Sequence, residues 1–390
     1  MRATGHYEQT AVAGETVRAF VPRPLPPSEP PLSLDAVAMD KLARAQHGLE
    51  RLDLATDLVP SIDWFVDAFV RKEAVVSSQI EGTQATLIDL LAFEADGLSE
   101  SATEADVKDV CNYLDAVTYA RAQMREKRGL PLSMRLLNGA HRQLMQGARG
   151  STKLPGEVRR SQNWIGGTRP GNARLVPPPP QLLGELLSDF EKYIYADDEL
   201  PKLVRAGLLH AQFETIHPYL DGNGRIGRLL VALLLEYWKL LSEPLLYLSL
   251  YIKRNREEYY RLLNAVRTNG DWEAWIAFFL DGVAAIADEA VDTARELFAL
   301  VSADRTRVLS AKPSTVMALR LFEQLPHNPI LTMARARELL ATTKPTATNA
   351  VTALVNAGVL VETSGRKRNR SFHYAAYLDL LAAGTELGAE

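Results

Sequence analysis

The sequence predicts a mainly α-helical protein with a short β-hairpin flap and a C-terminal winged helix-turn-helix module. Three observations carry this. Apolar residues recur at helical spacing through most of the chain from Leu34 onward. Glycine and proline crowd residues 146–180, where the helical pattern stops. Beyond about residue 305, three short helical stretches precede two short strands joined by a basic turn, which is the winged-helix order.

Bulk properties narrow the class. A chain of 390 residues suffices for two or three domains with substantial cores. Its 44 Lys and Arg against 48 Asp and Glu give a net charge of −4, so no strong basic field covers the whole protein. Cys111 is the single cysteine, which excludes a disulfide framework or a Cys-based zinc site within one chain. Residues Met1–Glu29 contain no apolar signal core, and no run of about 20 apolar residues occurs. The expectation is a soluble, cytoplasmic protein without a membrane partner.

The elements follow in order. Residues 1–33 hold Pro22, Pro24, Pro26, Pro27, Pro30 and Pro31, and read as an extended arm. Phe65, Phe69, Val70, Val76 and Ile80 lie close to helical spacing, and Gly82 is placed to stop that helix. Further helices are expected over 103–127 and 131–145. In the Gly/Pro-rich stretch, Arg174-Leu175-Val176 is positioned to pair with Trp164-Ile165 as a hairpin. A loop that long is either functional or disordered. Helices resume over 181–195 and 202–216, then over the nearly all-apolar Leu229–Leu241, over 256–267 and over 272–300. The C-terminal helices are expected at 314–324, 334–341 and up to Asn356, followed by strands at Val359–Glu362 and Ser371–Tyr374.

One segment concentrates the chemistry: His217-Pro218-Tyr219-Leu220-Asp221-Gly222-Asn223-Gly224-Arg225-Ile226-Gly227-Arg228. Gly222 and Gly224 let a turn bring its backbone close to a ligand. The helix that follows offers exposed N–H groups and a dipole that favours an anion. Arg225 and Arg228, three apart, project from one face of its first turn and suit a polyphosphate. Asp221 is placed to hold Mg²⁺ on those phosphates, and His217 to take a proton from an incoming hydroxyl. Two alternatives stay open. Gly222 to Gly227 matches G-x-G-x-x-G, but a dinucleotide site needs a strand before it, and 202–216 reads as helix. A metal hydrolase site from His210, Glu214, His217 and Asp221 is interrupted by Pro218 and leaves two arginines unexplained.

Residues 217–228 resemble the Fic family motif H-P-F-x-[DE]-G-N-G-R-x-x-R, with Tyr219 in place of Phe. Ser77 to Gly82 resembles the family's [ST]-x-x-x-E-[GN] inhibitory helix. Pro155-Gly156-Glu157-Val158-Arg159 and Asn163 to Gly167 resemble its loop and flap, and Tyr259-Tyr260 and Asp271 to Ile276 its downstream helices. The likeness spans roughly 20–285. It implies a Fic-type helical bundle that moves AMP from ATP to a Ser, Thr or Tyr hydroxyl of a target protein or of itself, with Mg²⁺ as cofactor. On that likeness His217 is the general base and Asp221 the metal ligand. Gly222, Asn223 and Gly224 form the anion hole, Arg225 grips the phosphates, and Arg228 reaches the γ-phosphate. Ile226 and Gly227 complete the nucleotide-binding run, with Tyr259 and Tyr260 near the adenine. Ile165, Leu175 and Val176 pin the target segment as an added strand. The implied division is an N-terminal arm and inhibitory helix over 1–100, a catalytic core over 101–300 and the winged helix over 305–380. A homodimer is compatible with it.

Glu81 is oddly placed, since a carboxylate at a helix C-terminus opposes the dipole by roughly 0.3–1 kcal/mol. The resemblance makes it, with Ser77, an inhibitory element that pairs with Arg228 and leaves ATP in an unproductive pose. In some relatives the same glutamate assists removal of AMP. At the C-terminus, Arg335, Arg337, Lys344, Arg366, Lys367, Arg368 and Arg370 outnumber Glu338 and Glu362 between residues 334 and 375. DNA binding by a nucleotide-sensing regulator is therefore one reading of the winged helix, and dimerisation or target presentation the other.

Overall fold

A computed structural model describes residues 2–55, 62–97, 101–147, 150, 152–311, 315–363 and 370–387. The chain is mainly helical. Its elements are β1 (Gly5–Val12), β2 (Glu15–Pro22), α1 (Ala36–Ala55), α2 (Ile62–Ile80), α3 (Leu87–Asp96), α4 (Glu104–Arg125) and α5 (Met134–Leu144). After a long loop come α6 (Leu183–Tyr195), α7 (Lys202–Ile216), α8 (Asn223–Tyr237), α9 (Ser249–Arg254), α10 (Arg256–Asn269) and α11 (Trp272–Ser310). The remainder is α12 (Val316–Phe322), β3 (Ile330–Thr332), α13 (Met333–Leu339), α14 (Lys344–Asn356), β4 (Val361–Glu362), β5 (Ser371–His373) and α15 (Ala375–Ala382). Contacts divide these residues into two compact units, 1–53 with 112–288, and 54–111 with 289–390.

In the first unit α7 and α8 form the core. Every residue of α7 from Leu203 to Phe213 is buried, as is the run Ile226–Leu235 of α8. Each buried leucine removes enough apolar surface from water to contribute about 1.5–3 kcal/mol. The two helices approach closely at Gly227, where an added Cβ would lie 2.5 Å from Glu214 Oε1. Gly207 gives α11 the same access, and Trp275 Nε1 donates to its carbonyl at 2.8 Å. Arg121 and Arg125 of α4 pair with Glu236 at the end of α8, at 3.1 and 2.8 Å, and with Glu243.

The N-terminus corrects the sequence expectation. Residues 5–22 are an antiparallel hairpin, with Gly5 opposite Pro22 and Val12 opposite Glu15, and not an extended arm. Ala13 and Gly14 supply the turn, both with positive φ, and Thr16-Val17-Arg18-Ala19-Phe20 alternates as a strand should. The prolines begin only where β2 ends. Thr4 Oγ1 donates to Val266 O at 3.0 Å, Arg2 Nη1 to Gly270 O at 2.9 Å, and Gln212 Nε2 to Arg23 O at 2.9 Å. These bonds fasten the hairpin to the helical core.

The second unit joins α2 and α3 to the C-terminal elements. Thr86 and Asp89 form a capping box at the start of α3, and Asp89 also accepts from Ser101 and Ala102 N–H. Burial raises its carboxyl, but these donors more than compensate and hold it down to about 2. Trp64 of α2 lies 6.1 Å from Tyr377 of α15, and Gln79 Nε2 donates to Thr385 O at 2.8 Å. The three-stranded sheet has the order β3-β5-β4 with antiparallel pairing. Threonines 315 and 332 cap α12 and α13. The expected helix start at Ser314 and the basic tip Arg366-Lys367-Arg368 lie outside the described residues. Arg370 is paired with Glu362, and Arg335 with Glu338 at 3.0 Å. Helix α11 runs past the expected Leu300 to Ser310, since no proline or glycine interrupts it there. Among the described residues no helix is long and apolar enough to cross a membrane.

Candidate active site

The segment 217–228 is a tight turn, 217–222, between α7 and α8, followed by the first residues of α8. His217 ends α7 in the left-handed conformation, φ 50° and ψ 63°, with its N–H bonded to Phe213 O at 2.9 Å. A non-glycine residue there costs about 1–2 kcal/mol, so other contacts must enforce it. Arg159 does so. Its Nε donates to His217 O at 2.9 Å, its Nη2 to Pro178 O at 2.6 Å, and its own N–H to Pro218 O at 2.9 Å. This arginine is only 2% exposed, and burial pulls its guanidinium down to about 10.

Asn223 closes the turn. Its Oδ1 accepts from Tyr219 N–H at 2.8 Å and its Nδ2 donates to Tyr219 O at 2.9 Å. The extra hydroxyl of Tyr219, fully buried, donates to Asn138 Oδ1 at 2.8 Å. Tyrosine is therefore tolerated at this anchor without an orphaned polar group. Gly222 has φ 78° and is the N-cap residue of α8, which begins with no side-chain cap. Its N–H reaches Asp221 Oδ1 at 2.6 Å. An uncapped helix start presents donors and positive potential to an anion.

Arg225 and Arg228 are 8% and 5% exposed, so their charges are largely taken out of water. Arg225 Nε has no hydrogen-bond partner among the described residues, and its Nη2 lies 4.0 Å from Met145 Sδ. A buried guanidinium facing a thioether calls for an anion from outside the fold. Asp221 is exposed, and no three His, Cys, Asp or Glu gather into a metal site among the described residues. A lone carboxylate beside an uncapped helix start could hold Mg²⁺ only together with ligand phosphates and water, from which that ion takes most of its shell.

Two histidines shape the surroundings. His141 stacks on Tyr219 at 3.9 Å, its Nε2 lies 3.0 Å from Asp221 O, and its Nδ1 accepts from Gly156 N–H at 2.9 Å. The imidazole is thus neutral with the proton on Nε2. Burial pushes it down to about 4. His210 has Nδ1 3.0 Å from Gly227 O and Nε2 3.0 Å from the Tyr259 hydroxyl, and burial also pushes it down to about 4. Both its nitrogens are used inside the fold, which makes it a structural residue. Gly227 serves helix packing, and a helix precedes the glycines, so the dinucleotide pattern is a coincidence of spacing.

The other expected residues are placed as follows. Tyr259 is buried beside His210 and Trp275, and Tyr260 meets it edge-on at 5.1 Å. Ile165 and Leu175 form one antiparallel bridge, with Ile165 N–H to Leu175 O at 2.8 Å and Val176 next in line. Ser77 is buried in α2, and Glu81 follows its last residue, with its N–H on Ser78 O at 3.0 Å and Gly82 at φ 100°. Sequence reasoning assigned no role to Arg159, His141 or Asn138. Apart from Ser161 O, two residues from Arg159, their hydrogen-bond partners are backbone groups and side chains 15 to 81 positions away, which no local pattern announces.

Residues 39–122 match the Fic/DOC family N-terminal model and 131–235 the Fic/DOC family model. A probable protein adenylyltransferase of Aquifex aeolicus (strain VF5) is 25% identical over 201 residues, covering 51% of this chain and 55% of its own. The protein adenylyltransferase Fic of Drosophila erecta is 28% identical over 246 residues, covering 60% and 46%. The chain spans about half the length of these curated relatives. Among solved structures, a Fic family protein from Desulfovibrio desulfuricans G20 superposes with a TM-score of 0.58 at 22% identity, covering 88% of this chain and 97% of that one. A Fic domain containing signaling protein from Bacteroides thetaiotaomicron VPI-5482 gives 0.52 at 17% identity, covering 65% and 97%. Helical order, the 217–228 turn and the two matching models lead to one conclusion: residues 39–122 and 131–235 of this chain are Fic/DOC family domains.

Proposed function

We propose that this chain is a protein adenylyltransferase that moves AMP from ATP to a hydroxyl of a target protein, and that Glu81 restrains it. The observation that carries the reading is the buried Arg225 guanidinium, short of an acceptor at the uncapped start of α8. A polyphosphate supplies that acceptor. In the reaction, His217 takes the proton of the acceptor hydroxyl, whose oxygen attacks the α-phosphorus of ATP. The bond to the bridging oxygen breaks, and pyrophosphate leaves with its charge met by Arg225, Arg228 and the N–H groups of Gly222, Asn223 and Gly224. Mg²⁺, held by Asp221, neutralises phosphate charge when bound. Tyr259 and Tyr260 border the adenine side, and Ile165, Leu175 and Val176 present the acceptor segment.

Ser77 and Glu81 act as the inhibitory element by engaging Arg228 and denying it to the γ-phosphate. The support is the likeness of 77–82 to the family's inhibitory motif. We also read α12 to β5 as a winged helix, from the element order and the β3-β5-β4 sheet. Intact-mass spectrometry of Glu81→Gly protein incubated with Mg-ATP tests the activity. A gain of one AMP less water is expected, absent when His217→Ala is added. A Glu81→Gly protein of unchanged mass that also leaves added proteins unlabelled overturns the reading.

A further inference from the structure

The flap is too short to hold its own shape. Its pairing is the single Ile165–Leu175 bridge, and even a longer two-stranded ribbon is marginal alone. The β1–β2 hairpin lies against it. Phe20 N–H donates to Val176 O at 2.9 Å, a main-chain bond that joins β2 to the flap. Val176 is buried in a cluster with Val12, Val17 and Ala19. At the hairpin turn, Glu15 Oε2 accepts from Arg169 Nη1 at 2.6 Å and from Gly171 N–H at 3.1 Å. It thereby grips the loop joining the two arms of the flap. The fit is close, since a Cβ on Gly171 would stand 2.3 Å from that oxygen. The hairpin is itself fastened to α10 and α7 through Thr4 and Gln212.

We infer that residues 5–22 form an acceptor-positioning arm, with Glu15 as its positioning residue: the hairpin sets the flap edge offered to an extended segment of the target protein. This rests on the AMP-transfer reading above. An extended segment binds an edge through main-chain hydrogen bonds, and an edge ordered in advance spares the cost of ordering it on binding. The nucleotide, seated on α8, does not draw on this contact. The arm therefore governs acceptor affinity and leaves ATP affinity alone.

The test uses the full chain carrying Glu81→Gly, labelled ATP, and a His217→Ala copy of the same chain as acceptor. Glu15→Ala is expected to raise KM for the acceptor about fivefold, with kcat and KM for ATP within about twofold. Glu15→Gln, which keeps an oxygen for Gly171 N–H, recovers most of that loss. Gly171→Ala, which displaces the carboxylate, reproduces it. In parallel, the amide hydrogens of Ile165, Arg174 and Leu175 exchange about tenfold faster in Glu15→Ala. Unchanged acceptor KM, or kcat and both KM values falling together without rescue by Glu15→Gln, overturns the inference. If the parent transfers no AMP, the functional reading fails, and the exchange rates still decide the brace: unchanged rates overturn it and faster rates sustain it.

Discussion

The turn at 217–222 and the flap at 163–176 are both short connections between helices, yet they are held in opposite ways. The turn is held mostly from within. Asn223 closes on Tyr219, Gly222 starts α8, His217 ends α7, and the flanking helices are buried along most of their length. The flap has one internal bridge and is held by Glu15 and Phe20, about 150 positions earlier in the chain. The difference teaches a division of labour. The geometry of the turn, where we propose that phosphates bind, is fixed by local sequence, whereas the flap depends on long-range contacts that can be lost singly.

The largest expected effect breaks the turn's chemistry without touching its fold. In the Glu81→Gly background, His217→Ala lowers AMP transfer by ~10²–10⁴-fold, the range for losing a general base. Thermal stability stays near the parent's, because the capping bond uses the main chain of His217. Transfer above a tenth of the parent rate removes His217 from its role. Next in size is Glu81→Gly itself, expected to raise labelling with labelled ATP by about tenfold if Glu81 denies Arg228 to the γ-phosphate. Equal labelling in the two proteins sinks autoinhibition and leaves the turn's role standing.

How much the sequence disclosed follows the same division. The turn was legible because its glycines, arginines and histidine lie within twelve consecutive residues, and each type has one dominant use there. Helices α7 and α8 were legible from periodicity and apolar content. The flap pairing of Ile165 with Leu175 was legible only as an expectation of register. Its support was not, because the six prolines from Pro22 to Pro31 favour an extended chain and outweigh the short alternation in Thr16 to Phe20 and the Ala13-Gly14 turn. The buried Arg159 was visible as a residue and invisible as a clamp, since its acceptors are carbonyl oxygens that every residue carries.

Arg159 is also where the two regions meet. It bonds to Ile216 and His217 on the turn side, and to Ser161 and Pro178 on the flap side. Arg159→Ala leaves buried carbonyls without donors, at a cost of roughly 2–4 kcal/mol. That corresponds to a melting temperature lower by about 3–5 °C in a chain of this size. Arg159→Lys restores charge but not the planar fork, and is expected to recover less than half. Melting within about a degree of the parent would mean that water replaces the clamp.

The smallest effect is one of pH, and it concerns the second link between the regions, His141, which joins Gly156 at the flap's root to Asp221 in the turn. Its pKa is about 4 in the folded protein, against an ordinary value of 6.5. Between these values the unfolded chain binds a proton that the native state refuses. Stability is therefore full above about pH 6.5 and declines as pH falls toward about 4. His210, shifted the same way, adds an equal share. From neutral pH to about pH 5.5, each histidine removes on the order of 1 kcal/mol. Protonated His141 would set a ring N–H against Gly156 N–H, so the loss is felt at the contact between flap root and turn. Urea unfolding from neutral pH to about pH 5 measures it, and His141→Gln is expected to halve the slope while lowering stability at neutral pH. A slope unaltered by His141→Gln would show that other groups carry the acid sensitivity, and that the tie between flap root and turn rests on Arg159 and on Asn163, whose Nδ2 donates to Tyr219 O at 3.1 Å.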